Sequence, residues 1–213
     1  MVRVKICGIT NWTDARLAVN AGADALGFNF YRKSPRYIAP EVARTIATRL
    51  PRRVLLVGVF VNASIEDVLR VARNVDLNAL QLHGEESTAE VARLSESYPV
   101  IKAFRVEPSF NAGRLGRYGG ASAFLLDGFD RKRRGGTGKS FDWSVARAAK
   151  KYGAIIVAGG LNPENVARAI REARPFGVDV CGGVESSPGK KDAKRLRALM
   201  DEIELVRNGV ARA

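Results

Sequence analysis

Short apolar runs alternate with longer amphipathic stretches along the whole chain. Eight of the apolar runs are bounded by turn residues and predict strands, namely Val2–Cys7, Ala25–Phe30, Val54–Val61, Ala79–Leu82, Val100–Phe104, Ala123–Asp127, Ala154–Ala158 and Gly177–Val180. Helical spacing of apolar residues fills segments between them, as in Ala63–Arg73, Ser87–Ser97, Pro163–Ala173 and Ala193–Val206. Two glycines interrupt Asn111–Tyr118, which predicts only a weak helix. Strands that alternate with crossover segments eight times predict an α/β fold, a single-domain parallel (β/α)8 TIM barrel over residues 1–213.

Alternation within the strands divides the side chains between two faces. A barrel strand turns its apolar face toward the helices, so the intervening residues point inward. Polar or ionisable residues of four strands fall on this inward face near the carboxyl ends of the strands, namely Lys5, Cys7, Gln81, His83, Asp127, Asp179 and Cys181. Buried polar groups are costly unless they are partnered, and active sites of barrels lie at this end. The pattern therefore predicts a functional site there.

Composition limits the class of protein. The 213 residues suit one domain, and 35 Lys and Arg against 22 Asp and Glu give a net charge of +13. A basic chain can bind nucleic acid, but apart from a cluster at Arg131–Arg134 these charges are spread along the sequence, without a nucleic-acid-binding motif. We therefore expect a small anionic substrate rather than nucleic acid. No signal peptide or apolar run of about 20 residues occurs, which predicts a cytoplasmic protein without a membrane partner.

Two glycine-rich turns follow the last two predicted strands, AGGLNPEN at 158–165 and CGGVESSPG at 181–189. Loops at these places commonly bind phosphate in barrel enzymes, and glycine lets backbone amides approach a ligand closely. The segment RRGGTGKS at 133–140 nearly matches a nucleotide-binding P-loop, but Arg133 replaces its first glycine. His83 fits a neutral polar residue better than a general base. The four possible metal ligands Cys7, His83, Asp179 and Cys181 lack metal-binding spacing, so no metal site is expected.

With these residues located, the chain resembles the phosphoribosylanthranilate isomerase family. The matching stretches are KICGIT, GADALGFNF with SPRYI, VGVFVN, QLHGEE, LLD, GGTGKSFDW, GGLNPENV and GVDVCGGVESSPGKKD. The resemblance implies a cofactor-free and metal-free Amadori rearrangement of N-(5'-phosphoribosyl)anthranilate. It also implies that Cys7 is the general base, Asp127 the general acid and Arg36 the partner of the anthranilate carboxylate.

The chemistry independently asks for these residue types. A free thiol has a pKa near 8.5, and Lys5 is the nearest cation in sequence that could lower it for Cys7. Asp127 must be protonated to act as an acid, which predicts burial or a neighbouring negative charge. The predicted substrate-binding residues are Arg36, Gln81, His83, Gly159, Gly160, Asp179, Gly182 and Gly183.

One departure from the family pattern concerns the loop after the eighth strand. The family usually carries two serines before a glycine there, whereas this chain has Cys181, Gly182 and Gly183. Hydroxyl donors to phosphate would be lost, and we interpret Cys181 as a serine substitute. Alternatives are indole-3-glycerol phosphate synthase, a sugar-phosphate epimerase, or a nucleic-acid-binding protein on a barrel without activity. A weak side activity on histidine-pathway aminoaldose phosphates is a further hypothesis, and the chain could be a monomer or a homodimer.

Overall fold

The computed structural model describes residues 1–128 and 142–209, in which eight strands close into one parallel barrel. Each strand pairs with the next in chain order, and the eighth returns to the first. The strands are β1 (Arg3–Cys7), β2 (Ala25–Asn29), β3 (Leu55–Phe60), β4 (Ala79–Leu82), β5 (Val100–Arg105), β6 (Ala123–Asp127), β7 (Ile155–Ala158) and β8 (Gly177–Val180). The predicted (β/α)8 barrel is confirmed.

Helices of the described residues connect the strands and pack on the outside of the barrel. They are α1 (Trp12–Asn20), α2 (Pro40–Ala47), α3 (Ile65–Val75), α4 (Thr88–Ser95), α5 (Trp143–Ala149), α6 (Val166–Ala173) and α7 (Ala193–Arg207). Three 3-10 helices lie at Ala112–Arg117, Lys150–Tyr152 and Gly182–Val184. The first of these replaces the weak helix predicted at Asn111–Tyr118. After β8, β9 (Glu185–Ser187) and β10 (Lys190–Lys191) form an antiparallel pair that the periodicity did not predict.

Local side chains determine where several helices begin. The Ser64 hydroxyl accepts from the amide of Asp67 at 3.1 Å and starts α3, and Ser87 forms a capping box with Glu90 at α4. The prediction that α6 opens at Pro163 is wrong. The amides and side chains of Asn162 and Asn165 bond reciprocally at 2.9 and 3.1 Å, which holds this stretch as a turn, and the helix begins at Val166.

Two apolar layers sit on either side of the barrel wall. The inner layer consists mainly of small aliphatic side chains: Ala25, Val57, Ala79, Ile101, Ala103, Ala123, Leu125, Ile156 and Ala158. The outer layer between wall and helices includes Ile6, Leu80, Leu126 and Val180, as strand alternation predicts. Apolar side chains therefore fill the lower part of the barrel interior, and the polar residues of the inward face lie near the carboxyl ends of the strands.

Two features of the sequence lie outside the described residues, the basic cluster at 131–134 and the near P-loop at 133–140. Within the described ranges, none of the helices has the length and apolar character needed to cross a membrane.

Candidate active site

Lys5 and Cys7 lie on the inward face of β1, next to β8. Lys5 is in register with Asp179, and its Nζ donates to Asp179 Oδ1 at 2.9 Å with both side chains buried. Gly27 on β2 makes room for both groups of β1, because a Cβ there would lie 2.7 Å from Cys7 Sγ and 2.9 Å from Lys5 Nζ. The thiol and the ammonium group therefore share one small space at the top of the barrel.

The surroundings of Cys7 favour its thiolate form. A hydrogen bond with Cys181 and the nearby ammonium group of Lys5 bring the pKa of Cys7 well below its ordinary value, although burial opposes the shift. Burial acts to lower the pKa of Lys5, but Asp179 and Cys7 outweigh it and hold that pKa above its usual range. Burial raises the pKa of Asp179 to about 6 despite the charge of Lys5. Lys5 therefore stays positively charged beside the thiol.

Asp127 ends β6 and faces His83, which follows β4. His83 Nε2 lies 3.3 Å from Asp127 Oδ2, and His83 Nδ1 lies 3.0 Å from Gln81 Nε2. Because an amide nitrogen only donates, Nδ1 accepts and a neutral ring carries its proton on Nε2, directed at the carboxyl group. The Asp127 side chain is 30% exposed, so the burial expected for a protonated acid is not found, and its partner is an imidazole.

Arg36 reaches the site from the connection between β2 and α2 and is held by Glu185 on β9. Its Nε donates to Glu185 Oε1 at 2.9 Å and Oε2 at 3.0 Å, and its Nη2 donates to Oε2 at 2.6 Å. Lys191 Nζ donates to the same carboxylate at 2.9 Å and to the carbonyl oxygen of Cys7 at 2.5 Å. Burial acts to raise the pKa of Glu185, but Arg36 and Lys191 keep it below its usual value. The guanidinium is thus fixed beside the strand end that carries Cys7.

The loop after β7 passes close to Asp127. Gly159 has a φ of 82°, and a Cβ there would lie 2.5 Å from Asp127 Oδ1 and would clash with the backbone of Gly128. Gly160 has a φ of 65° and open space on its Cβ side. Only glycine fits the first position, where the loop backbone comes into contact with the carboxyl group.

The loop after β8 packs on the loop after β7. A Cβ at Gly183 would clash with the carbonyl oxygen of Leu161, so the two backbones are in direct contact. Gly182 lies beside Arg36, with 3.5 Å between its Cβ position and Arg36 Nη2. The four glycines predicted to bind phosphate therefore lie in two adjacent loops at one edge of the barrel mouth.

A buried ion pair supports the turn that carries His83. Lys102 Nζ donates to Glu86 Oε2 at 2.8 Å and to the carbonyl oxygens of Leu82 and Gly84 at 3.4 and 2.7 Å. Both side chains of the pair are almost fully buried. Because the two carbonyl groups flank His83 in the chain, Lys102 fixes the backbone on both sides of the imidazole.

The predicted site residues occupy different depths of the barrel. Arg36 and His83 are partly exposed, whereas Gln81 is 1% exposed below His83 and Asp179 is buried against Lys5. Substrate contacts of Gln81 and Asp179 therefore stay predictions. Asp179 is paired with Lys5 and Gln81 Nε2 with His83, whereas the buried Gln81 Oε1 has no hydrogen-bond partner among the described residues. Among the residues that the structure describes, no group of three or more His, Cys, Asp or Glu side chains is arranged to hold a metal ion.

Sequence reasoning missed Glu185, Lys191, Glu86 and Lys102. Lys102 carries a signal that could have found it, because it stands between apolar residues on the outward face of a strand. Glu185 and Lys191 belong to the short hairpin after β8, for which the periodicity gave no indication.

Comparison with known proteins agrees with this geometry. Residues 4–202 match the family model described as N-(5'phosphoribosyl)anthranilate (PRA) isomerase. A relative from Citrifermentans bemidjiense named N-(5'-phosphoribosyl)anthranilate isomerase is 50% identical over 206 residues, which cover 97% of this chain and 98% of the relative.

Solved structures of phosphoribosyl anthranilate isomerases are also similar to this chain. The phosphoribosyl anthranilate isomerase of Thermotoga maritima has a TM-score of 0.90 and 48% identity, with 96% of this chain and 99% of that chain covered. A second such structure, in complex with reduced 1-(o-carboxyphenylamino)-1-deoxyribulose 5-phosphate, has a TM-score of 0.86 and 46% identity, and the same shares are covered.

Proposed function

The chain belongs to the N-(5'-phosphoribosyl)anthranilate isomerase family, and we propose that Cys7 is the base and Asp127 the acid of its reaction. The enzyme is an aldose–ketose isomerase of tryptophan biosynthesis, and the reaction is the Amadori rearrangement of N-(5'-phosphoribosyl)anthranilate. One observation carries the assignment of roles. A thiol beside a buried ammonium group ends β1, and a carboxyl group ends β6, three strands away around the ring of eight. A substrate lying across the mouth would meet one group on each side.

Asp127 acts first in this proposal, and only molecules in which its carboxyl group carries a proton can begin the reaction. Its proton passes to the furanose ring oxygen, the bond between that oxygen and C1 breaks, and a Schiff base forms between C1 and the anthranilate nitrogen. The Asp127 carboxylate that results accepts a hydrogen bond from His83 Nε2, 3.3 Å away. The imidazole, oriented by Gln81, therefore stabilises the charge that develops on the acid.

Cys7 acts second. The Schiff base makes the proton on C2 acidic, and the Cys7 thiolate removes it to give an enolamine. C1 then gains a proton and the C2 hydroxyl group loses one, which gives the ketone. The lowered pKa of Cys7 supports this role, because it raises the fraction of thiolate at neutral pH. Lys5 remains protonated throughout and serves as a fixed positive charge beside the sulfur.

The substrate's two anionic ends find partners at the mouth. We assign its carboxylate to Arg36, because a guanidinium matches a carboxylate with parallel hydrogen bonds. Nε and Nη2 of Arg36 donate to Glu185. Nη1 lies on the opposite edge of the guanidinium group, and we assign it to the substrate carboxylate. The phosphate is assigned to the backbone of Gly159, Gly160, Gly182 and Gly183 in the loops after β7 and β8.

The proposal extends to the partners, the location and the cofactor requirement of the enzyme. The enzyme binds a small phosphorylated molecule and has neither nucleic acid nor a membrane as a partner. The reaction takes place in the cytoplasm without a cofactor. A solved structure of the Thermotoga maritima relative is that of monomers generated from the dimeric enzyme. For this chain, a monomer and a homodimer are both compatible with the site, which lies within one barrel.

The test follows the decay of anthranilate fluorescence with freshly generated substrate. We expect turnover by the unaltered enzyme and a loss of about 10²–10⁴-fold in both Cys7→Ala and Asp127→Asn. Asp76→Asn is the matched control, because Asp76 is an exposed residue at the end of α3 and an asparagine suits its φ of 61°. Undiminished turnover by Cys7→Ala would assign the base to another residue, and the same result for Asp127→Asn would do so for the acid.

A further inference from the structure

We propose that Cys7 and Cys181 form a reversible disulfide bond when a peroxide oxidises the enzyme, and that this bond stops the reaction. The chain holds only these two cysteines in 213 residues. Both are free thiols, and they lie 174 positions apart in the sequence at neighbouring strand ends. The loss of activity rests on the proposed role of Cys7, whereas formation of the bond does not.

The pairing of β1 with β8 brings the two cysteines together. Ile6 is in register with Val180, so Cys7 and Cys181 are the next positions on neighbouring strands. Neighbouring strands lie about 4.7–4.9 Å apart, within the range of about 4.4–6.8 Å that separates the Cα atoms of disulfide-bonded cysteines. The two thiols already affect each other's ionisation through a hydrogen bond.

The backbone near both residues leaves freedom for the bond to form. Cys181 has a φ of −124° and a ψ of −86°, so the chain has left the extended conformation there and the residue is free of strand pairing. Gly8 follows Cys7, and a Cβ at Gly8 would lie 2.9 Å from Cys181 Sγ. The absence of that side chain lets the sulfur of Cys181 lie against the end of β1.

The charges around the two cysteines give their sulfur atoms different roles. Lys5 and Lys191 favour the thiolate of Cys7, whereas the contact with Cys7 and burial raise the pKa of Cys181. Cys181 Sγ is 3.8 Å from Glu185 Oε1 and 4.0 Å from Lys191 Nζ. Cys7 Sγ and Lys5 Nζ share the space beside Gly27, so Cys7 is the sulfur that attacks the oxidant, and Cys181 is the sulfur that resolves the product.

The reaction balances with hydrogen peroxide as the oxidant. The Cys7 thiolate attacks one peroxide oxygen, the O–O bond breaks, and a sulfenic acid and hydroxide form. The hydroxide takes the proton of Cys181, whose thiolate attacks the Cys7 sulfur and expels hydroxide, which leaves as water after protonation by solvent. Overall, two thiols and one peroxide give one disulfide and two water molecules. Reduction by an external dithiol restores both cysteines.

The experiment treats the purified enzyme with increasing hydrogen peroxide, unfolds it in guanidinium chloride because Cys7 is buried in the folded protein, and then blocks the remaining thiols with an alkylating reagent. We expect the intact mass to fall by two hydrogen atoms, no thiol to be alkylated, and a peptide pair joined through Cys7 and Cys181. Turnover should fall in step with this species and return on addition of dithiothreitol. In the matched variant Cys181→Ser, Cys7 should instead gain two oxygen atoms, and dithiothreitol should not restore the activity.

Each failure identifies a different error. If peroxide leaves both thiols open to alkylation, or joins cysteines of two chains, the disulfide inference is wrong while the role of Cys7 as base still stands. If Cys181→Ser recovers with dithiothreitol as fully as the unaltered enzyme, Cys181 is not the resolving sulfur. If the disulfide forms and turnover persists, the switch is refuted together with the assignment of Cys7 as the base.

Discussion

The charge on Lys5 should determine the pH at which the enzyme becomes active. A base must be deprotonated, so kcat/KM rises with pH through the pKa of Cys7. The contact with Cys181 and the charge of Lys5 lower the pKa of Cys7, and the rise therefore lies at lower pH than for an ordinary thiol. Replacement of Lys5 by methionine keeps an unbranched side chain of similar length and removes the charge. We expect the rise of kcat/KM to move to higher pH in this variant.

The size of the shift follows from the contacts. A hydrogen bond to a charged group contributes about 1.5–3 kcal/mol, and one pKa unit corresponds to about 1.36 kcal/mol. Loss of the Lys5 contact should therefore raise the pKa of Cys7 by about 1–2 units. At a pH below the pKa of Cys7 in the unaltered enzyme, where the thiol is mostly protonated in both enzymes, kcat/KM of Lys5→Met should be about 10–100-fold lower.

The assay measures kcat/KM from the fluorescence decay of the substrate between about pH 5 and pH 10, which spans the ordinary thiol pKa. Lys5→Met leaves the Asp179 carboxyl group buried without its partner, and loss of one partner of a buried pair costs about 3–5 kcal/mol of folding free energy. The variant Lys5→Met with Asp179→Asn removes both charges and controls for this cost. Arg3→Met controls for net charge, because Arg3 is on the same strand with an exposed side chain.

If kcat/KM of a folded Lys5→Met enzyme follows the same pH profile as the unaltered enzyme, Lys5 does not govern the ionisation of the base. A profile that moves equally in Arg3→Met would show a general effect of net charge.

Three other substitutions test the site. Gly27→Ala brings a Cβ within 2.7 Å of Cys7 Sγ, so overpacking should lower the free energy of unfolding by about 1–3 kcal/mol while circular dichroism still shows a folded enzyme. The displaced thiol should also lower kcat/KM, and normal kinetics would contradict the crowding. Lys102→Met should lower the free energy of unfolding in urea by about 3–5 kcal/mol, and Glu86→Gln added to it should recover part of the loss; no loss would mean that the pair is dispensable. Arg36→Met should raise KM about 10–100-fold, as expected for lost hydrogen bonds to a carboxylate of about 1.5–3 kcal/mol, and an unchanged KM would place the substrate carboxylate elsewhere.

The strand pattern was enough to predict the barrel and the inward direction of its polar residues. Alternation of period two is local, and a barrel must turn one face of each strand to the helices, so Lys5 and Asp179 could be placed inside before their contact was known. Boundaries were less predictable. α6 begins three residues after Pro163 because the side chains of two asparagines compete with the helix for the backbone amides.

The ion pairs of the site could not be predicted in this way. Arg36 and Glu185 are 149 positions apart, and nothing in either local segment indicates that the two meet. Their contact depends on the closure of the barrel, which brings the loop after β2 and the hairpin after β8 to the same edge of the mouth. The resemblance to a family identified Arg36 but gave no reason to examine Glu185.

Three lysines of this protein are buried, and burial of their charges costs desolvation free energy. Lys5, Lys102 and Lys191 have side chains no more than 6% exposed, and each pairs with a carboxylate. Buried ion pairs are often no more stabilising than apolar residues of similar size, so fold stability alone does not account for three of them. Lys5 lies beside the Cys7 thiol, Lys191 donates to the Cys7 carbonyl oxygen, and Lys102 fixes the turn of His83. Lys5 and Lys191 therefore act on Cys7, the residue assigned as the base, whereas Lys102 positions the imidazole that faces Asp127, the residue assigned as the acid.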